Sequence, residues 1–420
     1  MAHLIRDVFS WEALDSRGNP TVAVRIVTDT GGRGVALAPA GASAGGHEAL
    51  FLRDNSPHYS GLSVRGVIAR SIPLIREVIV GVDADNPESL HHALTSLDST
   101  PNWSILGGNV TTAVTISAWL AVADARAIAP WEVMTGWTGS TPSLPVPMVN
   151  IISGGAHADR AVDIQDILTI PLSATTLEDA IEYVWRVRHG TSQVMRDQGF
   201  ATALVADEGG LAAGFADSEA ALAIVAQGIQ RADLALGTDA TLALDIAANQ
   251  FHSSGSLYEF EGSTVSNRDI IEIISRWCER WPIASIEDPL AEDDDWSVAS
   301  PLLGTSQVVG DDRYATSLTR LATGIELQEA NSVLIKPNQA GSLWHTMSAV
   351  ALAQSATWGT IVSARSGDTE EHWLVDLAVG TGAGQIKVGS TMRSERTAKW
   401  NRLLELSAQG TLPYSGNKER

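Results

Sequence analysis

The first part of the chain alternates apolar and polar positions before it becomes helical. The alternation predicts a strand over residues 21–27 and a hairpin partner over 34–37. Apolar residues at helical spacing then predict three helices, over 66–80, 87–97 and 111–129. We therefore predict a small N-terminal α+β domain over 1–136, followed by a turn-rich linker.

A different pattern follows the linker, in which short apolar strands alternate with helical stretches. Six strands are predicted, at residues 241–245, 284–287, 308–311, 332–336, 360–363 and 385–387. From residue 287 onward their ends are 24 to 27 positions apart, the length of one strand–helix unit. The repeat favours a parallel α/β (TIM-like) barrel over an open α/β sheet, and we assign it to residues 137–420.

Composition narrows the functional classes. The 420 residues are 44% hydrophobic, and 28 basic against 49 acidic residues give a net charge of −21. Nucleic acid and anionic membrane surfaces are therefore not expected partners, because each would need a basic face. The single cysteine, Cys278, excludes an internal disulfide. With no uninterrupted apolar run at the N-terminus, we expect a cytoplasmic protein.

The predicted strand ends carry charge of both signs. Asp245, Glu287 and Asp311 are carboxylates, and such a set suits a hard divalent cation, magnesium above all. In isolation, the acidic pairs at 287–288 and 311–312 would instead indicate solvated turns. The run 292–295 reads as a solvated acidic loop without a role.

The next strand ends are cationic, at Lys336, Arg365 and Lys387. An arginine suits bidentate contact with phosphate or carboxylate, and Lys387 suits a second anionic group. Lys336, surrounded by cations, could act as a base. Alternatively, each lysine is the salt-bridge partner of a ligand carboxylate, and this alternative is the better one for at least one of them.

Two glycine-rich stretches also attract attention. One places Glu208 in a turn, and the other places His157 in a loop. Each gains significance only if it faces the same barrel mouth.

Motifs along nearly the whole chain resemble those of the enolase family. In order, they read DSRGNPTV, GASAGGHEALFLRD, LPVPMVNIISGGAHA, DEGG, SIEDPLAEDDDW, VGDD, IKPNQAGS, RSGDTE and RSERTAKWN. The resemblance implies a small α+β domain on an αβ barrel. It also implies an enzyme that uses two magnesium ions to remove the proton α to a carboxylate.

The resemblance also implies roles for individual residues. Metal ligands would be Asp245, Glu287 and Asp311 for the first magnesium, with Ser43 joining the second when a lid closes. Lys336 would be the base, and Glu208, with Asp166 and His157 nearby, would act on the leaving hydroxyl. Arg365 and Ser366 would contact the phosphate and Lys387 the carboxylate.

Several positions depart from the family pattern. Ala364 stands where a histidine is usual, and Asp166 where glutamate is usual, both on the leaving-group side. We expect these shorter side chains to enlarge and depolarise one wall of the pocket. His372 is predicted to lie inside the next helix and not to substitute. The lid lacks its usual threonine, Ser153 and Gln250 replace an asparagine and an acid, and Trp11 replaces an arginine of the family's dimer contact.

Three functions remain open at this point. The first is conversion of 2-phosphoglycerate to phosphoenolpyruvate. The second is a specialised paralogue, such as carboxyphosphonoenolpyruvate synthase of phosphonate and phosphinate biosynthesis, and the third is a non-catalytic binding protein. For either enzyme we expect a small phosphorylated or phosphonylated carboxylic acid as substrate, and a homodimer or higher homo-oligomer.

Overall fold

The N-terminal unit is a three-stranded antiparallel sheet covered by helices. The computed structural model describes residues 2–42 and 45–417. The unit consists of β1 (Ile5–Leu14), β2 (Pro20–Thr28), β3 (Arg33–Leu37), α1 (Arg65–Ile79), α2 (Pro87–Thr95), α3 (Gly108–Arg126) and α4 (Pro130–Thr138). The sequence predicted five of these seven elements to within three residues and missed β1 and α4.

Helix α3 is the centre of this unit and is buried along most of its length. It packs directly on β2 and β3 because β3 carries glycine where the two elements meet. A Cβ atom at Gly34 would lie 2.0 Å from the carbonyl oxygen of Ser117 on α3. In the described chain no single helix is long and apolar enough to span a membrane; α3 and α4 qualify only when joined across a 108° bend.

The second unit is a closed eight-stranded barrel with one inserted hairpin sheet. Its strands are β4 (Val146–Ser153), β5 (Asp166–Pro171), β6 (Ala240–Asp245), β7 (His252–Ser254), β8 (Leu257–Phe260), β9 (Ser263–Ser266), β10 (Ile283–Glu287), β11 (Gln307–Gly310), β12 (Ser332–Ile335), β13 (Gly359–Ser363) and β14 (Gln385–Lys387). Strands β7 to β9 form the insert, and the other eight close the barrel in the order β10-β11-β12-β13-β14-β4-β5-β6.

Helices cover the outside of the barrel. They are α5 (Leu177–Asp197), α6 (Ser218–Arg231), α7 (Asn267–Arg280), α8 (Leu318–Leu327), α9 (Pro337–Ala340), α10 (Leu343–Ser355), α11 (Trp373–Gly380) and α12 (Ser394–Ala408). Helix α7 shows why such segments are helical. A reciprocal capping box between Ser266 and Asp269 starts it, and Ile270 and Ile274 bury one face.

The predicted barrel is confirmed and its six predicted strands are parallel, but one strand that the sequence did not predict departs from that arrangement. Strand β5 runs antiparallel to both β4 and β6. Only a loop joins β4 to β5, and without a crossover helix the chain returns in the opposite direction. The start of β5 therefore lies at the C-terminal ends of its neighbours, where Asp166 is in register with Asp245 and Ser153.

The two units contact each other beside the barrel mouth. Trp103 Nε1 donates to the carbonyl oxygen of Ala340 at 3.2 Å. On α2, His91 Nδ1 lies 3.0 Å from Ser342 Oγ, and its ring centroid is 4.2 Å from that of His345. Burial, followed by the charge of His345, lowers the pKa of His91 to about 4. These contacts hold the N-terminal unit against the segment that follows strand β12.

Candidate active site

The predicted charged residues converge at the C-terminal end of the barrel. Asp245 and Glu287 end β6 and β10, and Asp311 follows β11 directly. All three are buried, as are the cations Arg365 and Lys387. Parallel strands bring their ends to one rim, so residues far apart in sequence meet there.

Both lysines are bound to the predicted metal-ligand carboxylates. Lys387 Nζ donates to Asp245 Oδ2 at 2.8 Å and to Glu287 Oε2 at 2.7 Å. Lys336 Nζ donates to Asp311 Oδ2 at 2.5 Å. Each lysine therefore forms a salt bridge with a carboxylate that is predicted to ligate the metal, as the salt-bridge alternative expects.

These ion pairs determine which groups carry charge. Burial by itself lowers the pKa of Lys336, but the carboxylate of Asp311 outweighs it, and the pKa is raised overall. In this arrangement Lys336 is an ammonium ion, not the neutral amine that a base requires. Burial, followed by repulsion from Asp245, raises the pKa of Glu287 well above its usual range.

The carboxylates fit a divalent cation. Glu287 Oε1 is buried and has no hydrogen-bond partner in the described part of the chain, although two other carboxylates lie close by. Burying a carboxylate oxygen without a hydrogen-bond donor costs free energy unless a cation coordinates that oxygen. The ligand set is entirely oxygen, as magnesium prefers. The donor chemistry of Asp245, Glu287 and Asp311 therefore suits the metal, although their oxygens do not all lie within 4.8 Å of one another, as those of Asp288, Asp311 and Asp312 do.

Asp288 is a neighbouring residue to which sequence reasoning gave no role. Its two carboxylate oxygens accept the backbone amides of Asp311 and Asp312 at 2.9 and 2.8 Å, so it fixes the turn that presents Asp311. Asp288, Asp311 and Asp312 can each place an oxygen within 4.8 Å of the others. The 287–288 and 311–312 pairs are thus not solvated turns. Burial and then Asp311 raise the pKa of Asp312 to about 7.

The leaving-group side is organised by His157, which lies between two carboxylates. Its Nδ1 is 3.0 Å from Asp166 Oδ2, and its Nε2 is 3.8 Å from Glu208 Oε1. Burial lowers the pKa of His157, but Asp166 and Glu208 outweigh it and raise the pKa to about 9. Burial raises that of Glu208, while His157 and then Arg396 pull it below its usual value. At neutral pH the site thus holds an imidazolium ion beside the Glu208 carboxylate.

A further hydrogen-bonded layer fixes Asp166. The side-chain amide of Asn150 on β4 donates to Asp166 Oδ1 and, at 2.9 Å, to Ser153 Oγ. Asn150 lies within the motif LPVPMVNIISGGAHA, but nothing in its local pattern indicated this contact.

Ala364 lines the same cavity as His157 and Glu208 and offers it only a methyl group. Its amide donates to the carbonyl oxygen of Lys387 at 2.9 Å, so the backbone is fixed while the side chain makes no polar contact. His157 and Glu208 line the same cavity and keep the rest of this wall polar. The enlargement expected from the shorter side chains stays a prediction.

His372 does not replace the missing histidine. It precedes α11 as its N-cap residue, so the prediction that it lies inside the helix is wrong. Its side chain is 53% exposed and lies 3.7 Å from Asp376 on the same helix.

Arg365 is held from the opposite unit of the protein. Its Nη1 and Nη2 donate to Glu48 Oε2 and Oε1 at 2.8 and 3.2 Å. Arg396, fully buried on α12, donates to the carbonyl oxygens of Arg365 and Ser366 at 2.7 and 2.6 Å. Ser366 Oγ is buried and lacks a partner among the described residues, which suits a group that contacts an incoming anion.

Sequence reasoning missed the roles of Glu48 and Arg396, although both lie in motifs quoted above. A carboxylate in a loop and an arginine in a helix give no signal about a contact with a strand end. Ser43, predicted as a metal ligand and substrate contact, lies outside the described residues.

Two family models match the chain. "Enolase, N-terminal domain" matches residues 5–134, and "Enolase, C-terminal TIM barrel domain" matches residues 141–420. Together they cover both units described above.

Proposed function

Because the chain belongs to the enolase family, we propose that it is a magnesium-dependent lyase acting on a 2-phosphoglycerate-type substrate. It would remove the proton α to the carboxylate and give phosphoenolpyruvate or a related enol ester. One observation carries this proposal. Buried Asp245, Asp311, Arg365 and Lys387 line one cavity together with the half-buried Lys336. Glu287, which shares Lys387 with Asp245, has a buried Oε1 without a partner among the described residues.

The cationic side of the cavity would bind the substrate's two anionic groups. Arg365 and Ser366 would contact the phosphate, and Lys387 would contact the carboxylate. Asp245, Glu287 and Asp311 would hold magnesium, with Ser43 completing a second site. When bound, magnesium would supply positive charge that stabilises the negative charge developing on the substrate carboxylate.

Lys336 would accept the α-proton at its Nζ atom. It can do so only as a neutral amine, and its pairing with Asp311 opposes that form. Proton abstraction therefore requires Lys336 to separate from Asp311. The same carboxylate that would hold the metal thus keeps the base inactive until the site is filled.

The leaving hydroxyl would take its proton from the His157–Glu208 pair. His157 is the protonated member of that pair, since its pKa is raised and that of Glu208 is lowered. The C–O bond breaks, the donated proton leaves with the hydroxyl as water, and the enol double bond forms. Asp166 would hold the imidazolium ring in place through its 3.0 Å contact with Nδ1.

A second candidate is the specialised paralogue, and Ala364 favours it. Ala364 offers no polar group beside the leaving hydroxyl, whereas the groups that would form the enolate are retained. This combination favours a change in the step in which the hydroxyl would leave. A phosphonoformyl-transferring enzyme such as carboxyphosphonoenolpyruvate synthase would use the same base and metal.

Turnover distinguishes the two candidates. The purified protein, saturated with magnesium, is given 2-phosphoglycerate alone and then with a nucleotide ester of phosphonoformate, whose nucleotide is the leaving group, and products are followed by ³¹P NMR. Rapid formation of phosphoenolpyruvate supports the lyase. A phosphonoformyl enol ester, formed with release of the nucleotide, supports the paralogue. Absence of both products, with a Lys336→Ala variant behaving like the wild type, would contradict the proposed chemistry.

A further inference from the structure

The acidic run 292–295, to which sequence reasoning gave no role, contacts the N-terminal unit. The amide of Gly46 donates to both carboxylate oxygens of Glu292, at 3.1 and 3.0 Å. His47 Nε2 lies 3.1 Å from both carboxylate oxygens of Asp293. A Cβ atom at position 46 would be only 2.9 Å from Glu292 Oε1, so glycine permits this close approach.

The acidic loop is itself fixed to the barrel. Arg320 Nη2 donates to the carbonyl oxygen of Glu292 at 2.7 Å and to Asp293 Oδ1 at 3.0 Å. Arg313 donates to the same carbonyl at 2.8 Å, and Asn249 Oδ1 accepts the Glu292 amide at 2.9 Å. The loop is therefore a fixed support for residues 45–48.

The residue after His47 reaches the anion-binding arginine. Glu48 is buried and pairs with Arg365 through two hydrogen bonds. Gln339 Nε2 contacts Glu48 Oε1 at 3.2 Å and Asp311 Oδ1 at 2.8 Å. A displacement of residues 46–47 would therefore disturb the contacts of Arg365 and of Asp311, a predicted metal ligand.

We propose that Glu292 and Asp293 are positioning residues that hold segment 45–48 on the barrel, so that Glu48 orients the guanidinium group of Arg365 for an anion. The proposal rests on the proposed function, in which that anion is the substrate's phosphate. A buried guanidinium with a fixed partner is already oriented for bidentate contact, which lowers the cost of binding.

Loss of negative charge and loss of positioning are expected to change anion affinity in opposite directions, so an experiment can distinguish them. Removing negative charge near an anion site should by itself strengthen anion binding. Loss of positioning should weaken it. The charge control is Asp295→Asn, which removes one negative charge from the same run, against two in the double variant, while an asparagine can still cap the backbone amide of Ser297.

The experiment compares Glu292→Gln/Asp293→Asn with Asp295→Asn in the full chain. We expect KM for 2-phosphoglycerate to rise about fivefold in the double variant, with kcat within about twofold of the wild type. Asp295→Asn should leave KM unchanged or slightly lower. Glu292→Asp retains an acceptor for the Gly46 amide, so its KM should rise less than that of the double variant.

Two further measurements keep this test separate from the proposed function. Amide hydrogen exchange should accelerate at residues 46–48 in the double variant only. Titration with inorganic phosphate should show weaker binding than in the wild type, whether or not the protein turns over 2-phosphoglycerate. Unchanged exchange, or phosphate affinity that rises as in Asp295→Asn, would overturn the positioning role.

Discussion

The barrel mouth has two halves that are built differently. In the half formed by β6 and β10 to β14, the acids and bases are fixed by ion pairs between strands, such as Lys387 with Asp245 and Glu287. In the half formed around β4 and β5, a single imidazolium, His157, joins Asp166 and Glu208, and the methyl group of Ala364 lines the same cavity. Of the two departures from the family's usual residues, Asp166 begins β5 in the second half, and Ala364 follows β13 of the first half but lines the cavity beside His157.

This contrast separates two tasks of the proposed reaction. Groups that bind anions and generate the enolate are interlocked, so a change at one leaves a buried charge uncompensated. Groups that act on the leaving hydroxyl form a smaller set, in which one imidazolium joins two carboxylates.

The largest expected effect comes from breaking the ion-paired half. Asp311→Asn removes both a predicted metal ligand and the carboxylate that holds Lys336. We expect turnover to fall by roughly 10³-fold and magnesium affinity to fall at least about tenfold. Steady-state kinetics and calorimetric titration with magnesium check these values.

Asp295→Asn is the control for this change, because Asp295 lies on the exposed acidic run. If Asp311→Asn bound magnesium and turned over substrate like the control, the metal assignment would be wrong.

Restoring the family's usual residues at positions 364 and 166 should have the next largest effect. Ala364→His combined with Asp166→Glu should raise dehydration of 2-phosphoglycerate by about 10- to 100-fold, since each returns a polar group beside the leaving hydroxyl. Ala364→Leu with Asp166→Glu is the control, because it fills volume without adding a polar group. Equal activity in the two variants would show that polarity at position 364 does not direct the reaction.

The His157 contacts predict a pH-dependent stability. The pKa of His157 is raised to about 9 in the folded protein, above its ordinary 6.5. The stabilising contribution is therefore complete below about pH 6.5 and is lost as pH rises to about 9, by at most about 3 kcal/mol. Denaturant unfolding at several pH values should show this loss in the wild type and not in His157→Gln. Identical profiles would contradict the imidazolium assignment.

His91, at the contact between the two units, should show an effect of opposite sign. Its pKa is lowered to about 4, so the unfolded chain takes up a proton before the folded protein does. Stability should fall by at most about 3 kcal/mol as pH drops from about 6.5 to 4, relative to His91→Gln. If stability relative to His91→Gln were instead lost at alkaline pH, the effect assigned to His157 would not be specific to the site.

The fold and the site were predictable to different extents. Six barrel strands were evident because each is a short apolar run with a charged residue at or just after its end. Strands β4 and β5 were missed, as was the reversed direction of β5, because direction depends on how the chain crosses the barrel. Asp166 was assigned from resemblance alone. Its place opposite Asp245 follows from β5 being antiparallel.

The sequence by itself determined which chemical groups the site contains and the order in which the strands supply them. It also revealed that Ala364 stands where a polar group is expected. Tertiary structure alone decided which groups pair, such as Arg365 with Glu48, 317 positions earlier in the chain. It also decided that Lys336 is charged in this arrangement and that Glu287 Oε1 is left without a partner among the described residues. Pairing and pKa depend on distance and burial, which are set only when distant strands close the barrel.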